Sequence, residues 1–266
     1  MNEYFRSRFN RQPLEVINGD YYFGSDNDGD NFDKNDVDLW LNGVFKDRWD
    51  KAFKVEDDLL SCFFTDVLDV FDENPTPFME IACGPGMGLT PIILSKHPDI
   101  VCLATDACSL LIKSWRQYIN SNLKEFNIDL ASFSVMDIPI KDNSLDLVTS
   151  FIGISSTRAG EQGKFKALDE VYRVLKKGGR FITVENEWTN FEDIQEVFRL
   201  WGRPVWTGMK EETSWHEKID RSGFTIEKAD KTFFRYLTRT DNDLGEQADK
   251  YGIKIGMKFT LLILRK

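Results

Sequence analysis

The chain has 266 residues, 41% of them hydrophobic and 29% charged, with a formal net charge of −10. That apolar content supplies a core and excludes a wholly disordered chain, and no apolar run reaches the roughly 18 residues of a membrane-spanning helix. The first residues lack the apolar stretch of a secretory signal. Cys62, Cys83, Cys102 and Cys108 form no C-x-x-C pair, so the expected setting is a reducing cytoplasm, with no membrane partner. With His97 and His216 as its two histidines, the chain has little material for a His-rich metal centre, and no metal site is predicted.

The charge is uneven. Residues 1–77 carry 18 Asp/Glu against 8 Lys/Arg, while the remaining 189 residues carry 26 of each sign. The excess negative charge therefore sits in the N-terminal quarter, densest over residues 25–38. Phosphate-dominated recognition needs the opposite sign, which argues against a nucleic-acid partner. A calcium loop built around Gly29 would need ligands at Gly24 and Asn35, and neither is a carboxylate. A solvated loop is expected, suited at most to attracting a cationic substrate or partner.

Residues 1–77 read as this acidic loop followed by a helical cap. Apolar residues at near-helical spacing predict helices over 37–49 and 58–71, and Asn74-Pro-Thr-Pro77 stops the pattern. From Phe78 strands and helices alternate. Strands are predicted over 78–82, 100–104, 130–135, 145–151 and 181–185, with helices over 89–96, 109–120 and 164–175. Continuously apolar strands of this kind belong in a mostly parallel sheet covered on both faces. A late helix starts near residues 213–216, capped by Thr213 or Ser214, and ends at Ser222-Gly223. Strands over 224–234 and 258–264 follow, without a full helix pattern between them, and predict an antiparallel end.

The sharpest local signal is Phe78-Met-Glu-Ile-Ala-Cys-Gly-Pro-Gly-Met-Gly88: a strand, closely spaced glycines, then a helix. Glycines permit a sharp turn and close ligand approach, and the following helix offers free N–H groups. Taken alone, a ligand-free turn would explain it too. The spacing 84, 86, 88 with Leu89 misses the nicotinamide fingerprint. Asp106, 20 residues after Gly86, ends the second strand, where an acid can hold ribose hydroxyls. Asp137 follows the third, where a carboxylate can accept from an adenine amino group flanked by Met136 and Ile138.

With these motifs the sequence resembles the class I S-adenosylmethionine-dependent methyltransferases, in particular the small-molecule branch of the ubiquinone- and menaquinone-biosynthesis type. The resemblance runs from Phe78 to Glu187. Residues 80–86 match the D/E-x-G-x-G-x-G turn, with Ala82 in place of its first glycine, and residues 137–148 and 168–181 match later motifs. It implies a Rossmann-like three-layer sandwich with a mostly parallel seven-stranded sheet, residues 78–266 forming the S-adenosyl-L-methionine-binding domain with a cap insertion at about 188–212. It further implies that Glu80 binds the methionine amino group, and that the backbone of Ala82, Cys83, Gly84 and Gly86 lines the methionine. Asp106, with Ala107 beside it, would take the ribose. Met136, Asp137 and Ile138 would hold the adenine, and Ser150 and Phe151 would face the sulfonium. Gly178-Gly179 is expected to end a helix with a left-handed cap.

For the acceptor, Glu185 and Glu187, with Asn186, follow the fifth strand and are the candidate catalytic groups; solvated loop carboxylates are the equal alternative. The candidate substrate-binding rings are Trp188 and Trp206, in an aromatic-rich segment that is mostly core of the inserted cap, and Tyr22 and Trp49, in the N-terminal region that could close over the cofactor. His97 and His216 read as structural. The predicted activity is in-line methyl transfer to a small, apolar or aromatic acceptor. Methylation of tRNA or protein, and a non-catalytic cofactor-binding regulatory protein, remain the alternatives; oligomeric state is open.

Overall fold

The computed structural model describes residues 1–24, 33–157, 159–206, 209–210, 213–239 and 243–266; most of the acidic stretch, 25–32, lies outside the described residues. The chain opens with a single turn, α1 (Glu3–Arg6), and a hairpin of β1 (Glu15–Ile17) and β2 (Asp20–Tyr22). This hairpin was expected to be loop. It joins the sheet because β2 pairs in parallel with β5 (Ile128–Ser132), while the buried Asp20 carboxylate takes both forks of Arg116.

The predicted helix over 37–49 is divided into α2 (Lys34–Leu39), a widened turn at Trp40–Val44 and α3 (Phe45–Phe53). Gly43, whose backbone is extended, marks the break. Asp33 caps α2, and α4 (Asp58–Glu73) starts at Asp57, whose carboxylate accepts from Leu60 N at 2.9 Å. Leu59, Phe63, Val67 and Val70 give α4 its buried stripe.

The alternation after residue 77 yields β3 (Phe78–Ile81), α5 (Thr90–Lys96), β4 (Cys102–Asp106), α6 (Ser109–Asn122), β5, β6 (Leu145–Phe151), α7 (Gly160–Val174) and β7 (Leu175–Trp188). After these come α8 (Phe191–Trp201), α9 (Trp215–Ser222), β8 (Thr225–Lys228), β9 (Thr232–Tyr236), α10 (Asp243–Tyr251) and β10 (Gly256–Arg265). Among the described residues the sheet has ten strands rather than seven, in the order β1-β2-β5-β4-β3-β6-β7-β10-β8, with β9 also on β10. The run from β2 to β7 is parallel, and β10 is antiparallel to β7, β8 and β9. One apolar core on each face completes a Rossmann-like three-layer sandwich. Helices α3 to α6, α8 and α10 cover one side, and α1, α7 and α9 the other.

Three further differences bear on the site. Strand β7 runs on to Trp188 because β10 pairs with it as far as Trp188↔Met257, so Glu185 and Glu187 lie within a strand rather than after one. Gly178, with φ of +79°, does not cap α7, which already ends at Val174; it forms a bulge early in β7, where the register against β6 shifts. The single strand expected over 224–234 is two, and α10 lies between them and β10. At the predicted late helix, Ser214 rather than Thr213 is the cap, boxed with Glu217, and Gly223 terminates it in the left-handed conformation. Among the described residues no helix is long and apolar enough to cross a membrane.

Candidate functional site

The parallel strands bring their carboxyl ends to one edge of the sheet, and the turn after β3 occupies its middle. Ala82 takes a left-handed conformation (φ +48°), and Cys83 N donates to Thr105 O at 2.8 Å. The chain then makes one tight turn at Gly84–Gly86. Gly88 is also left-handed, and a Cβ there would lie 1.8 Å from Glu80 Oε1. The turn is thus folded directly onto the Glu80 side chain, which no larger residue at 88 would permit.

Glu80 is fully buried. Its Oε2 accepts from the Thr149 hydroxyl at 2.5 Å, while Oε1 has no hydrogen-bond partner. Burial pushes this carboxyl up to about 8, against the opposing Thr149 bond and the backbone N–H groups at Leu89 and Phe151. A buried carboxyl with one open oxygen suits a cationic ligand group that would restore its charge.

Around it stand the other predicted residues. Cross-strand register aligns Tyr22, Ser132 and Asp106 in a row. Asp106 accepts from Gly84 N at 3.0 Å and Cys108 N at 2.9 Å, tying the glycine turn to the start of α6. The Ala107 carbonyl accepts from Ser132. Asp137 is exposed and held by both forks of Arg11 at 2.7 and 2.9 Å, which keeps its carboxyl below the usual range. Ile138 is buried with its N–H on Glu170, and Met136 is half-buried beside Gly163.

On the other side of the turn, Ser150 is buried and its hydroxyl accepts from Gly153 N at 3.2 Å. Phe151 is half-buried, and Ile152 follows with φ of +60°, an unfavourable conformation for a β-branched residue. Glu185 is fully buried and accepts from Ile154 N, Ser155 N, and the Ser155 and Thr183 hydroxyls. Burial raises its pKa against those four bonds. It braces β7 to the loop after β6 and presents no free oxygen to an acceptor, unlike the solvent-edge group expected. Glu187 is half-exposed and faces Lys258 at 3.5 Å.

Of the four candidate substrate rings, Trp49 is 3% exposed and packed against Phe53, Trp115 and Phe126; it is a core ring. Tyr22 is buried at the end of β2. Trp188 is half-buried at the end of β7, and Trp206 is 42% exposed in a cluster with Phe198 and Trp201. His97 lies at the end of α5 beside Asp72, and His216 is exposed on α9; neither belongs to this edge.

Residues 79–183 match the family model described as "Methyltransferase domain". The chain is 27% identical over 193 residues to a demethylmenaquinone methyltransferase of Listeria welshimeri, covering 68% of this chain and 80% of that one. It is 34% identical over 93 residues to a ubiquinone/menaquinone biosynthesis C-methyltransferase of Pseudoalteromonas translucida, covering 35% of this chain and 36% of that one. In fold it matches a geranyl diphosphate methyltransferase solved with S-adenosylmethionine, with a TM-score of 0.53 and 10% identity over 89% of this chain and 92% of that one. Residues 79–183 are thus a methyltransferase domain, and the chain is an S-adenosylmethionine-dependent methyltransferase.

The cofactor of this methyltransferase is S-adenosylmethionine, and the residues at the turn fit it. The Glu80 carboxyl beneath the turn meets the need of an ammonium group, and a carboxylate at the end of β4, Asp106, meets that of a diol. Three contributors were missed in the sequence. Thr149 could have been found, because it faces Glu80 directly in register between β3 and β6. Arg11 and Trp115, whose indole N–H donates to Gly84 O at 2.9 Å, are long-range partners with no local signal.

Proposed function

We propose that this methyltransferase methylates a small, flat, electron-rich aromatic acceptor of the kind named for its demethylmenaquinone methyltransferase relatives. The observation that carries this reading is the engagement of both carboxylates that could have served as bases: Glu185 by four donors, Glu187 by Lys258. An electron-rich ring such as a hydroquinone can attack through carbon, and the ring proton that the methyl group replaces can pass to water, so no free protein carboxylate is required. The aromatic surroundings of Phe151, Trp188 and Trp206, and the balanced charge of residues 78–266, support a small apolar molecule over a polyanion.

The cofactor supplies an activated methyl group with a neutral thioether as leaving group. The chain's contribution is alignment and exclusion of water. In this reading Glu80, fixed by Thr149, holds the methionine ammonium, and the backbone of Ala82, Cys83, Gly84 and Gly86 lines the methionine. Asp106 and Ala107 receive the ribose while Asp106 keeps the turn closed. Asp137, shared with Arg11, and Met136 and Ile138 border the adenine. Ser150 and Phe151 face the sulfonium end, and Glu185 acts as a positioning residue by holding the loop at Ile154 and Ser155 in place. Tyr22, Trp188 and Trp206 bound the acceptor space.

Incubation with S-adenosylmethionine and a reduced demethylnaphthoquinone, followed by mass spectrometry, tests this. A product heavier by one methyl group on a ring carbon is expected. Methylation of protein or tRNA in its place would overturn the acceptor assignment.

A further inference from the structure

Strands β9 and β10 draw on two segments of one sign. Residues 231–239 and 250–258 carry six Lys/Arg and no Asp/Glu, in a chain of net charge −10. They meet in the ladder that runs from Gly256↔Tyr236 to Thr260↔Thr232. Alternation along the strands then sorts their side chains. Phe233 and Arg235 turn toward the core that α10 helps to cover, both against the Phe259 ring, and Lys231 is held by Asp66 of α4 at 2.7 Å. Phe234 and Tyr236 turn to the opposite face and are 50% and 49% exposed. Their rings meet edge to face at 5.1 Å, and Phe234 lies against Gly256, where a Cβ would touch the ring at 2.9 Å. Lys254 stands over the Tyr236 ring at 5.4 Å, and Lys258 sits in register between Phe234 and Glu187.

This face also projects past the ligand edge. Val184 pairs with Phe151 at the end of β6, and Glu187, in the row of Phe234, lies three residues further on, about 10 Å. Single exposed rings are ordinary, but a fixed aromatic pair flanked by lysines and outside both apolar cores is the composition of an interaction surface. We propose that the Phe234–Tyr236 face, with Lys254 and Lys258, docks on the headgroup layer of an anionic phospholipid membrane and holds the acceptor edge against it. The ring bodies seat among the upper acyl chains, the Tyr236 hydroxyl stays wet, and the lysines answer the phosphates. Lysine is a point charge on a flexible stem, suited to a fluid array of phosphates more than to one fixed partner. A second copy fits worse, because stacking this face on itself sets lysines against lysines. Lying on a surface needs no spanning helix, the feature whose lack argued against a membrane partner.

The test is cosedimentation of the full chain, without cofactor or acceptor, with vesicles of mixed phosphatidylglycerol and phosphatidylcholine or of phosphatidylcholine alone. Wild type should pellet with the mixed vesicles at low salt, be released by high salt, and stay in solution with phosphatidylcholine. Partitioning should fall roughly tenfold in the double variant Phe234→Ser/Tyr236→Ser and roughly fivefold in Lys254→Gln, with melting temperatures unchanged. Should the double variant melt early, Lys254→Gln, which alters an exposed side chain outside the strands, decides alone. No binding to the mixed vesicles, equal binding to both lipids, or variants that bind like wild type would each overturn the proposal. Capture by soluble polyglutamate as tight as by vesicles would assign the face to an acidic protein instead. Because the assay contains no acceptor, its failure leaves the proposed reaction standing, and a failed methylation leaves the docking surface standing.

Discussion

Two glutamates at the same edge of the sheet, Glu80 on β3 and Glu185 on β7, look alike by burial and differ in what surrounds them. Both are fully buried, and in both the loss of water raises the pKa. Glu185 receives four hydrogen bonds from the loop beyond β6 and from its own strand, and none of its capacity points outward. Glu80 receives one side-chain bond, from Thr149, with weaker help from the backbone at Leu89 and Phe151, and its Oε1 beneath the turn has no partner of good geometry. Burial with a perturbed proton affinity marks a carboxylate as costly. The partner count then separates a brace from a binding group.

That contrast can be broken in four ways. The largest effect is expected for Glu185→Ala, which strands two backbone N–H groups and two hydroxyls. A stability loss of about 3 kcal/mol or more is expected from urea unfolding, and a wild-type midpoint would remove the brace. Glu80→Gln keeps the volume and should fold normally. It should weaken cofactor binding by about 1.5–3 kcal/mol in calorimetry, the scale of a charge-assisted bond.

The third test uses pH. The Glu80 carboxyl is raised in the fold from 4.5 to about 8, so the native state holds a proton that the unfolded chain has released. Its contribution to stability is fully present below about 4.5 and is lost as pH rises through about 8. The difference between wild type and Glu80→Gln should therefore grow over that window. A cationic ligand should expel the proton, and titration near pH 7 in buffers of different ionisation enthalpy should record its release in wild type alone. Parallel unfolding curves at all pH values would show that Glu80 is already charged in the free protein. The smallest effect is expected at Ala82. Glycine there removes the left-handed penalty of φ +48° but adds unfolded-chain entropy, for a net gain of about 0.5 kcal/mol in urea midpoint analysis. A loss would mean that the Ala82 methyl packs productively in the turn.

The same contrast explains what could be read from sequence. Strand β6 agrees with its expected bounds because an apolar run is bracketed by turn residues, and the helix after Ser214 announced itself by cap and glycine. The glycine turn, Glu80 and Asp106 were legible because their spacing is local. The role of Glu185 was not, because the end of β7 is set by β10, some seventy residues later in the chain. The hairpin of β1 and β2 was missed for a related reason. Its strands are three residues long, and the ion pair that anchors it joins Asp20 to Arg116. Helix α10 offers Leu244 and Ala248 as its apolar contacts, too sparse a stripe to declare a period.

One ring ties these regions together. Trp115 is fully buried; its indole N–H reaches the Gly84 carbonyl, and its face stacks on Phe45 at 3.8 Å. The turn and α3 are thus two ends of a single rigid plate. A fluorine placed on that indole would turn the plate into a resonance probe, whose one line shifts when the turn is occupied and broadens when α3 lifts away from it.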